Sequence, residues 1–178
     1  MLRNIILVLC ISFYVSNAQD NRGYIVKVGD IAPNFTIQTI DNKKFTLSDH
    51  LGKVIMLQFT ASWCSVCIKE MPFIEKEIWL ERQNNDQFVL VALAKDTERK
   101  PQGVQEIKFM TNRTGITYPI GSDKNSKIFN LFAEEKAGVT RNIIIDQNGK
   151  IAFLTRLFEQ YEFSEMKSVI EDLLKKKH

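Results

Sequence analysis

Val54-Ile55-Met56-Leu57-Gln58-Phe59-Thr60-Ala61-Ser62-Trp63-Cys64-Ser65-Val66-Cys67-Ile68-Lys69-Glu70-Met71-Pro72 is the stretch on which the fold of this chain turns. From Val54 to Phe59 it is apolar but for Gln58, the pattern of a strand buried on both faces rather than of one shared between core and solvent. After Trp63 the period changes. Cys67, Met71, Ile74 and Ile78 recur at helical spacing, and the helix they predict runs on to about Asn84. Cys64 is thereby placed at a helix N-terminus, just beyond a buried strand. Pro72 falls inside that helix, where its missing N–H is expected to kink the axis.

Upstream, Phe35 to Ile40 alternates apolar and polar side chains, Asp41-Asn42-Lys43-Lys44 is turn material, and Phe45-Thr46-Leu47 resumes the pattern, which predicts a β-hairpin. Ser48-Asp49-His50-Leu51-Gly52 reads as a short helical turn ended by glycine. Downstream, Phe88 to Leu93 is a second buried strand, and Val104, Ile107 and Met110 mark a helix from about Gln102 to Asn112. Tyr118-Pro119-Ile120 reads as a short third strand and Lys127 to Phe132 as another helix. Asn142 to Asp146 and Ile151 to Leu154 flank the turn Gln147-Asn148-Gly149-Lys150, an antiparallel hairpin signal. Met166, Val169, Ile170, Leu173 and Leu174 form the buried stripe of a final helix, and Lys175-Lys176-Lys177 its solvated end. Strand, helix, strand, helix is the order of an α/β core with parallel strands.

The 178 residues, 44% of them apolar, suit one globular domain plus a processing segment. Twenty-four Lys and Arg against 21 Asp and Glu leave a net charge of +3, too small and too dispersed for a nucleic-acid surface. Arg3, the apolar run Ile5 to Val15 and the small residues Ser16-Asn17-Ala18 have the organisation of a secretory signal peptide over residues 1–18, cleaved before Gln19. The apolar run is shorter than the roughly 20 residues that span a bilayer, so an uncleaved anchor is disfavoured and the mature form is expected to be soluble. Residues 19–27 are expected to be a short linker and 28–178 the single domain.

Loss of Cys10 with that leader leaves Cys64 and Cys67. A disulfide closing so small a loop constrains the unfolded chain little, so the pair is read as chemical rather than stabilising. Unpaired N–H groups and the positive end of the helix dipole favour a thiolate at Cys64, the attacking species in disulfide exchange. Cys67, one turn further in, is more buried and should resolve the mixed disulfide that Cys64 forms. Zinc takes four ligands, and the mature chain offers only His50 and His178 beside the two cysteines, so no metal and no cofactor is expected.

Val28-Gly29-Asp30-Ile31-Ala32-Pro33-Asn34-Phe35, then Leu51-Gly52-Lys53-Val54, Phe59-Thr60-Ala61-Ser62-Trp63-Cys64 and Glu70-Met71-Pro72 resemble the TlpA/ResA-like branch of the thioredoxin superfamily, within the broader redoxin group. Ile143 to Ile151 resembles that family's strand–turn–strand before the last helix, so the resemblance runs from about Val28 to the C-terminus. It implies a three-layer α/β/α sandwich with a central mixed sheet and an N-terminal hairpin extension. It also implies a periplasmic or cell-envelope thiol–disulfide oxidoreductase acting on protein disulfides or dithiols and served by a membrane-bound or thioredoxin-like electron donor.

By position, Cys64 matches the family's nucleophile, Cys67 the resolving cysteine, and Glu70 a carboxylate that some members keep beside the site. Such a carboxylate raises a thiol pKa or relays a proton, whereas the alternative is a plain helix-surface glutamate. Gln58 stands where thioredoxins have a buried aspartate, and an amide cannot take that proton. Trp63 is read as a shield beside the cysteines, and Ser65, Val66, Val139, Thr140 and Arg141 as the rest of a substrate-binding surface. The departure is Thr140, where the family places a cis-proline. A cis bond before a non-proline residue costs about 2.5–4 kcal/mol, so a trans peptide and an altered loop are expected. Arg141 either faces solvent or stands beside the thiolate and lowers its pKa.

Three other functions compete. A peroxiredoxin-type peroxidase would need threonine three residues before its cysteine, whereas Thr60 precedes Cys64 by four, and Leu57 and Met56 stand upstream where a proline is required. A copper-delivery chaperone would use the dithiol as soft ligands, with Met56 and Met71 the nearest helpers. A redox-inert adaptor is opposed by the intact cysteine pair.

Overall fold

The computed structural model describes residues 22–176. The expected signal peptide, with Cys10, the first residues of the expected linker, Lys177 and His178, lies outside the described residues. Strands β1 (Thr36–Gln38) and β2 (Lys44–Thr46) form the expected antiparallel hairpin, and a 3-10 turn over Leu47–His50 leads into β3 (Val54–Thr60). Helix α1 (Ser65–Ile74) continues through a π-helical segment, Glu75–Trp79, into the short α2 (Leu80–Arg82). Then come β4 (Phe88–Lys95), α3 (Val104–Thr114), β5 (Ile120–Asp123), a 3-10 turn over Lys124–Ser126, α4 (Phe129–Phe132), β6 (Arg141–Ile145), β7 (Ile151–Leu154) and α5 (Gln160–Lys175).

The main sheet has the order β5-β4-β3-β6-β7, with β3 in the middle. β3 pairs in parallel with β4, which pairs in parallel with β5, while β6 and β7 run antiparallel, so the sheet is mixed. Every residue of β3 is buried, as a strand without a solvent face must be. Side-chain alternation sorts the core into two halves. Ile55, Leu57 and Phe59 join Val91, Leu93, Ile143 and Ile145 beneath Phe129 and Phe132 of α4 and beneath the hairpin's Ile37 and Phe45. Val54 and Met56 join Leu90, Ala92 and Ile144 under α1, α3 and α5, which contribute Met71, Ile74, Ile107, Met110, Met166 and Ile170.

Several expectations are corrected at the edges of elements. Val104 opens α3 but is exposed, because the apolar face of that helix is set by Ile107 and Met110, one and two turns further on. The third strand starts at Ile120, and Tyr118 is instead a buried core residue whose hydroxyl bonds to Gln58. The helix expected from Lys127 is only Phe129–Phe132, because Asp123 captures the Ile128 and Phe129 N–H groups and fixes its start. Pro72 lies inside α1, and three residues beyond it the helix passes into the π-helical turn. From residue 22 the expected linker belongs to the fold. Tyr24 is buried, the Ile25 N–H donates to the Phe132 carbonyl, and the Glu134 N–H donates to the Gly23 carbonyl.

The hairpin docks on the β5 edge, where the Ile40 N–H donates to the Ile120 carbonyl at 2.9 Å. A Cβ on Gly121 would come within 2.6 Å of the Gln38 carbonyl oxygen and 3.0 Å of the Ile37 side chain. Gly121→Ala should therefore lower the free energy of unfolding in urea by about 1–3 kcal/mol, because backbone against backbone has no rotamer to yield. An unchanged urea midpoint would contradict this docking.

Candidate active site

The C-terminal end of β3 delivers the chain to the N-terminus of α1, and Cys64 is that helix's N-cap. Its φ of −91° and ψ of 106° are extended, and its sulfur accepts the Cys67 N–H at 3.1 Å. A sulfur there occupies the place usually taken by a serine or aspartate oxygen, where the orphan N–H groups of the first turn favour negative charge. Cys64 and Cys67 are joined as a disulfide, with Cα atoms 5.2 Å apart. Cys64 is 7% exposed and Cys67 fully buried, the asymmetry expected of an attacking and a resolving thiol. The Val139 carbonyl oxygen lies 3.7 Å from the Cys64 sulfur.

Around that mouth, Trp63 is 42% exposed with the Lys100 ammonium 3.9 Å from its ring centroid, so it borders the site rather than filling the core. Ser65 is exposed, Val66 half-buried, and Val139 and Thr140 are buried. The Val139–Thr140 peptide is cis, which corrects the expected trans bond. The trans preference is a property of an isolated peptide, whereas here the surroundings specify the residue. Its hydroxyl bonds to Glu70, and its carbonyl accepts the Leu157 N–H at 3.1 Å.

Glu70 is not a surface residue. It is 1% exposed, on the α1 side of the sheet. Thr140 donates to its Oε2 at 2.9 Å, Asn142 donates to its Oε1 at 2.7 Å, and Gln58 donates to Oε2 at 3.4 Å. The cluster extends to Tyr118, which donates to the Gln58 carbonyl oxygen at 2.9 Å, and to Thr155, which accepts from Asn142 at 3.0 Å. Burial pushes the Glu70 carboxyl up to about 7, against the pull of the three donors. Near neutral pH it therefore changes protonation readily, as a proton carrier must.

Arg141, on the opposite face of β6, is neither solvent-facing nor directed to the Glu70 side. Alternation along the strand sends it to the core half that holds Tyr24. Its guanidinium stacks 4.4 Å from the Tyr24 centroid and donates to the carbonyls of Gly138 at 2.8 Å and Arg22 at 2.7 Å. Lys95 works beside it, donating to the carbonyls of Glu135 at 2.8 Å and Ala137 at 3.0 Å, with Phe129 beneath its ammonium. Burial, aided by Arg141, holds the Lys95 pKa below its ordinary value. Together these two cations fasten the carbonyls that lead into Val139. Gln102 similarly fastens Ser62, accepting its N–H at 2.8 Å and donating to its hydroxyl at 3.0 Å. Sequence reasoning missed Lys95, Gln102, Asn142 and Tyr118 as parts of the site. For Lys95 and Asn142 the available signal was polarity at positions inside apolar strands, whereas Gln102 and Tyr118 lie outside strands and carried no such signal.

The chain matches the Redoxin family over residues 27–170. It is 28% identical over 151 residues to the thiol-disulfide oxidoreductase ResA of Bacillus thuringiensis, covering 85% of this chain and 79% of that one. It is 32% identical over 153 residues to ResA of Oceanobacillus iheyensis, covering 83% and 74% respectively. A solution structure from Bacteroides thetaiotaomicron, described as a candidate protein disulfide isomerase, shares 47% identity at a TM-score of 0.81, covering 86% of this chain and 94% of that one. A crystal structure from Chlorobium tepidum, described as a candidate thiol:disulfide interchange protein DsbE, shares the fold at 22% identity and a TM-score of 0.70, covering 84% and 99%.

The buried carboxyl has a consequence for stability. Its folded value of about 7 lies above the 4.5 of an unperturbed glutamate, so its contribution is fully present below about pH 4.5 and is lost as pH rises through 7. Glu70→Gln removes that dependence. Measured by urea unfolding, the variant should gain on the order of 3 kcal/mol relative to the parent between pH 4.5 and pH 7, and parallel stability curves would show the carboxyl to be unperturbed.

Proposed function

The chain belongs to the Redoxin family, and from that premise we propose that Cys64 is the nucleophile, Cys67 the resolving thiol and Glu70 the proton carrier of its exchange reaction. It is a thiol–disulfide oxidoreductase with a thioredoxin-like fold. The observation that carries the assignment is the Cys64 sulfur acting as N-cap of α1 while bonded to Cys67.

In the reducing direction the Cys64 thiolate attacks one sulfur of a protein disulfide. A mixed disulfide forms, and the substrate's other sulfur leaves as a thiolate that takes up a proton. The Cys67 thiol gives its proton to the Glu70 carboxylate, one turn along α1, and attacks the Cys64 sulfur. That step expels the substrate's second thiolate, which is protonated in turn, and leaves the Cys64–Cys67 disulfide. Two electrons have passed to the substrate, and an external dithiol donor must restore the enzyme. Run backwards, the same steps donate a disulfide.

The substrate segment lies along Trp63, Ser65, Val66 and the Val139 carbonyl, in this reading, with Thr140 behind that carbonyl. Arg141 contributes by holding the loop rather than by touching the substrate. The leader at residues 1–18 supports action outside the cytoplasm, in the periplasm or cell envelope, where protein disulfides persist.

Cys64→Ser should abolish insulin reduction, and Cys67→Ser should accumulate mixed disulfides with client proteins that a reductant releases. Full insulin reduction by both variants would overturn the dithiol mechanism. Glu70→Gln should slow turnover by about 10²–10⁴-fold and remove the rise of rate near pH 7, the range over which a general acid–base contributes.

A further inference from the structure

We propose that Thr140 is a positioning residue for this exchange, its hydroxyl being the one partner among the described residues that serves Glu70 in both its charged and its neutral form without a heavy atom moving. The inference rests on the reading of Glu70 as proton carrier. It adds that the loop facing Cys64 governs when that carboxyl is protonated.

The argument lies in which atoms can donate and which can accept. A charged Glu70 needs donors and has three, the Gln58 and Asn142 amide nitrogens and the Thr140 hydroxyl. A neutral Glu70 carries an O–H and needs an acceptor. The two amide nitrogens donate only, and the Gln58 oxygen is already engaged by the Tyr118 hydroxyl. The Asn142 oxygen is buried with no partner among the described residues, but the same amide turns its nitrogen to Glu70 and Thr155, so that oxygen could accept only by a flip of the whole amide that gives up both bonds. The Thr140 oxygen can accept, provided its own hydrogen turns elsewhere. A second acceptor for that hydrogen is in place, the Phe59 carbonyl at 3.4 Å. A rotation of one hydroxyl thus satisfies both protonation states without moving a heavy atom, which matters where an unpaired buried polar group is costly.

Position makes this hydroxyl consequential. Thr140 follows Val139, whose carbonyl is 3.7 Å from the Cys64 sulfur, so one residue joins the mouth of the site to the buried carboxyl. Among the described residues no charged side chain contributes to the shift of Glu70, and Glu75, the other buried acid of the helix that carries Glu70, acts on Tyr118 and bonds to Thr117. Gln58 faces it from β3, Thr140 and Asn142 from β6 and its approach, and Thr155 stands beyond Asn142. Apart from the two sulfurs on α1, Tyr118 is the titratable neighbour among the described residues, and burial holds its phenol neutral. Burial raises the carboxyl, and the three hydrogen bonds are what oppose that rise. Sequence reasoning noticed Thr140 as a departure from the family pattern and as part of a substrate-binding surface, not as a partner of Glu70.

The test titrates Glu70 directly, following the infrared carbonyl band of its protonated carboxyl in the oxidised protein, alongside the pH profile of insulin reduction. In the parent the band should disappear with a midpoint near 7. Thr140→Val deletes a charge-assisted donor to the carboxylate and a weaker, neutral acceptor for the protonated carboxyl, so the larger loss falls on the charged form, the midpoint should rise by about one unit and the rate profile should move with it. Thr140→Ala, which removes the same hydroxyl with less bulk, should give the same shift, and Thr140→Ser should restore the parental midpoint. Thr140→Val added to Glu70→Gln should move the pH profile no further. An unmoved midpoint in both Thr140→Val and Thr140→Ala, or a shift that Thr140→Ser leaves uncorrected, overturns the inference. A parental rate profile in Glu70→Gln overturns instead the proton-carrier reading on which it rests, a distinct result because the infrared titration of the Thr140 variants is read without activity.

Discussion

The burial of both faces of β3 is the constraint from which the rest follows. A strand with no solvent face must have every side chain accepted by one core half or the other, and strict alternation decides which. Phe59 goes to the α4 side, while Gln58 and Thr60 go to the α1 side. An amide carried into a core requires partners, and Gln58 finds them in Tyr118 and Glu70. The polar cluster under α1 is in this sense a product of the strand. The same strand, at its end, sets Cys64 on the first turn of the helix it feeds.

Two unlike supports then hold the mouth of the site from opposite sides of the sheet. On one side Glu70, Thr140, Asn142 and Gln58 are neutral or singly charged groups linked by hydrogen bonds. On the other side Lys95 and Arg141 are cations whose heads meet backbone carbonyls and aromatic rings instead of carboxylates. Burying a charge is costly unless it is hydrogen-bonded, and three carbonyls between Glu135 and Gly138 supply the bonds. The consequence is a loop ordered by side chains that come from β4 and β6, rather than by its own turn chemistry. Val139 is the residue that this ordering presents to Cys64.

A thiolate stabilised by a helix N-terminus and a carboxyl raised by burial have complementary uses. In the proposed reaction the first keeps Cys64 ready to attack, while the second offers Cys67, otherwise sealed from water, somewhere to leave its proton. Gln58 could not play that part. In that reaction as proposed, the task therefore falls to a residue from the helix rather than from the strand.

Local pattern settled much of this protein. The buried run from Val54, the switch to helical period after Trp63, the hairpin turns at Asp41-Asn42 and Asn148-Gly149, and the stripe of the last helix are visible because periodicity and turn chemistry are properties of neighbours in the chain. The dithiol is visible for the same reason, being a pair three positions apart at a strand–helix junction. What waited for the tertiary structure were the residues whose roles depend on partners far away in sequence. Glu70 became a buried carboxyl because β6 brings Asn142 and Thr140 to it, Arg141 became a fastener because Tyr24 lies under it, and Lys95 and Gln102 gained roles through carbonyls and turns some forty residues distant. Even the cis geometry before Thr140 belongs to this second group. A single residue's preference is written in its chemistry, but which preference prevails is decided by the sum of contacts that only the folded chain assembles.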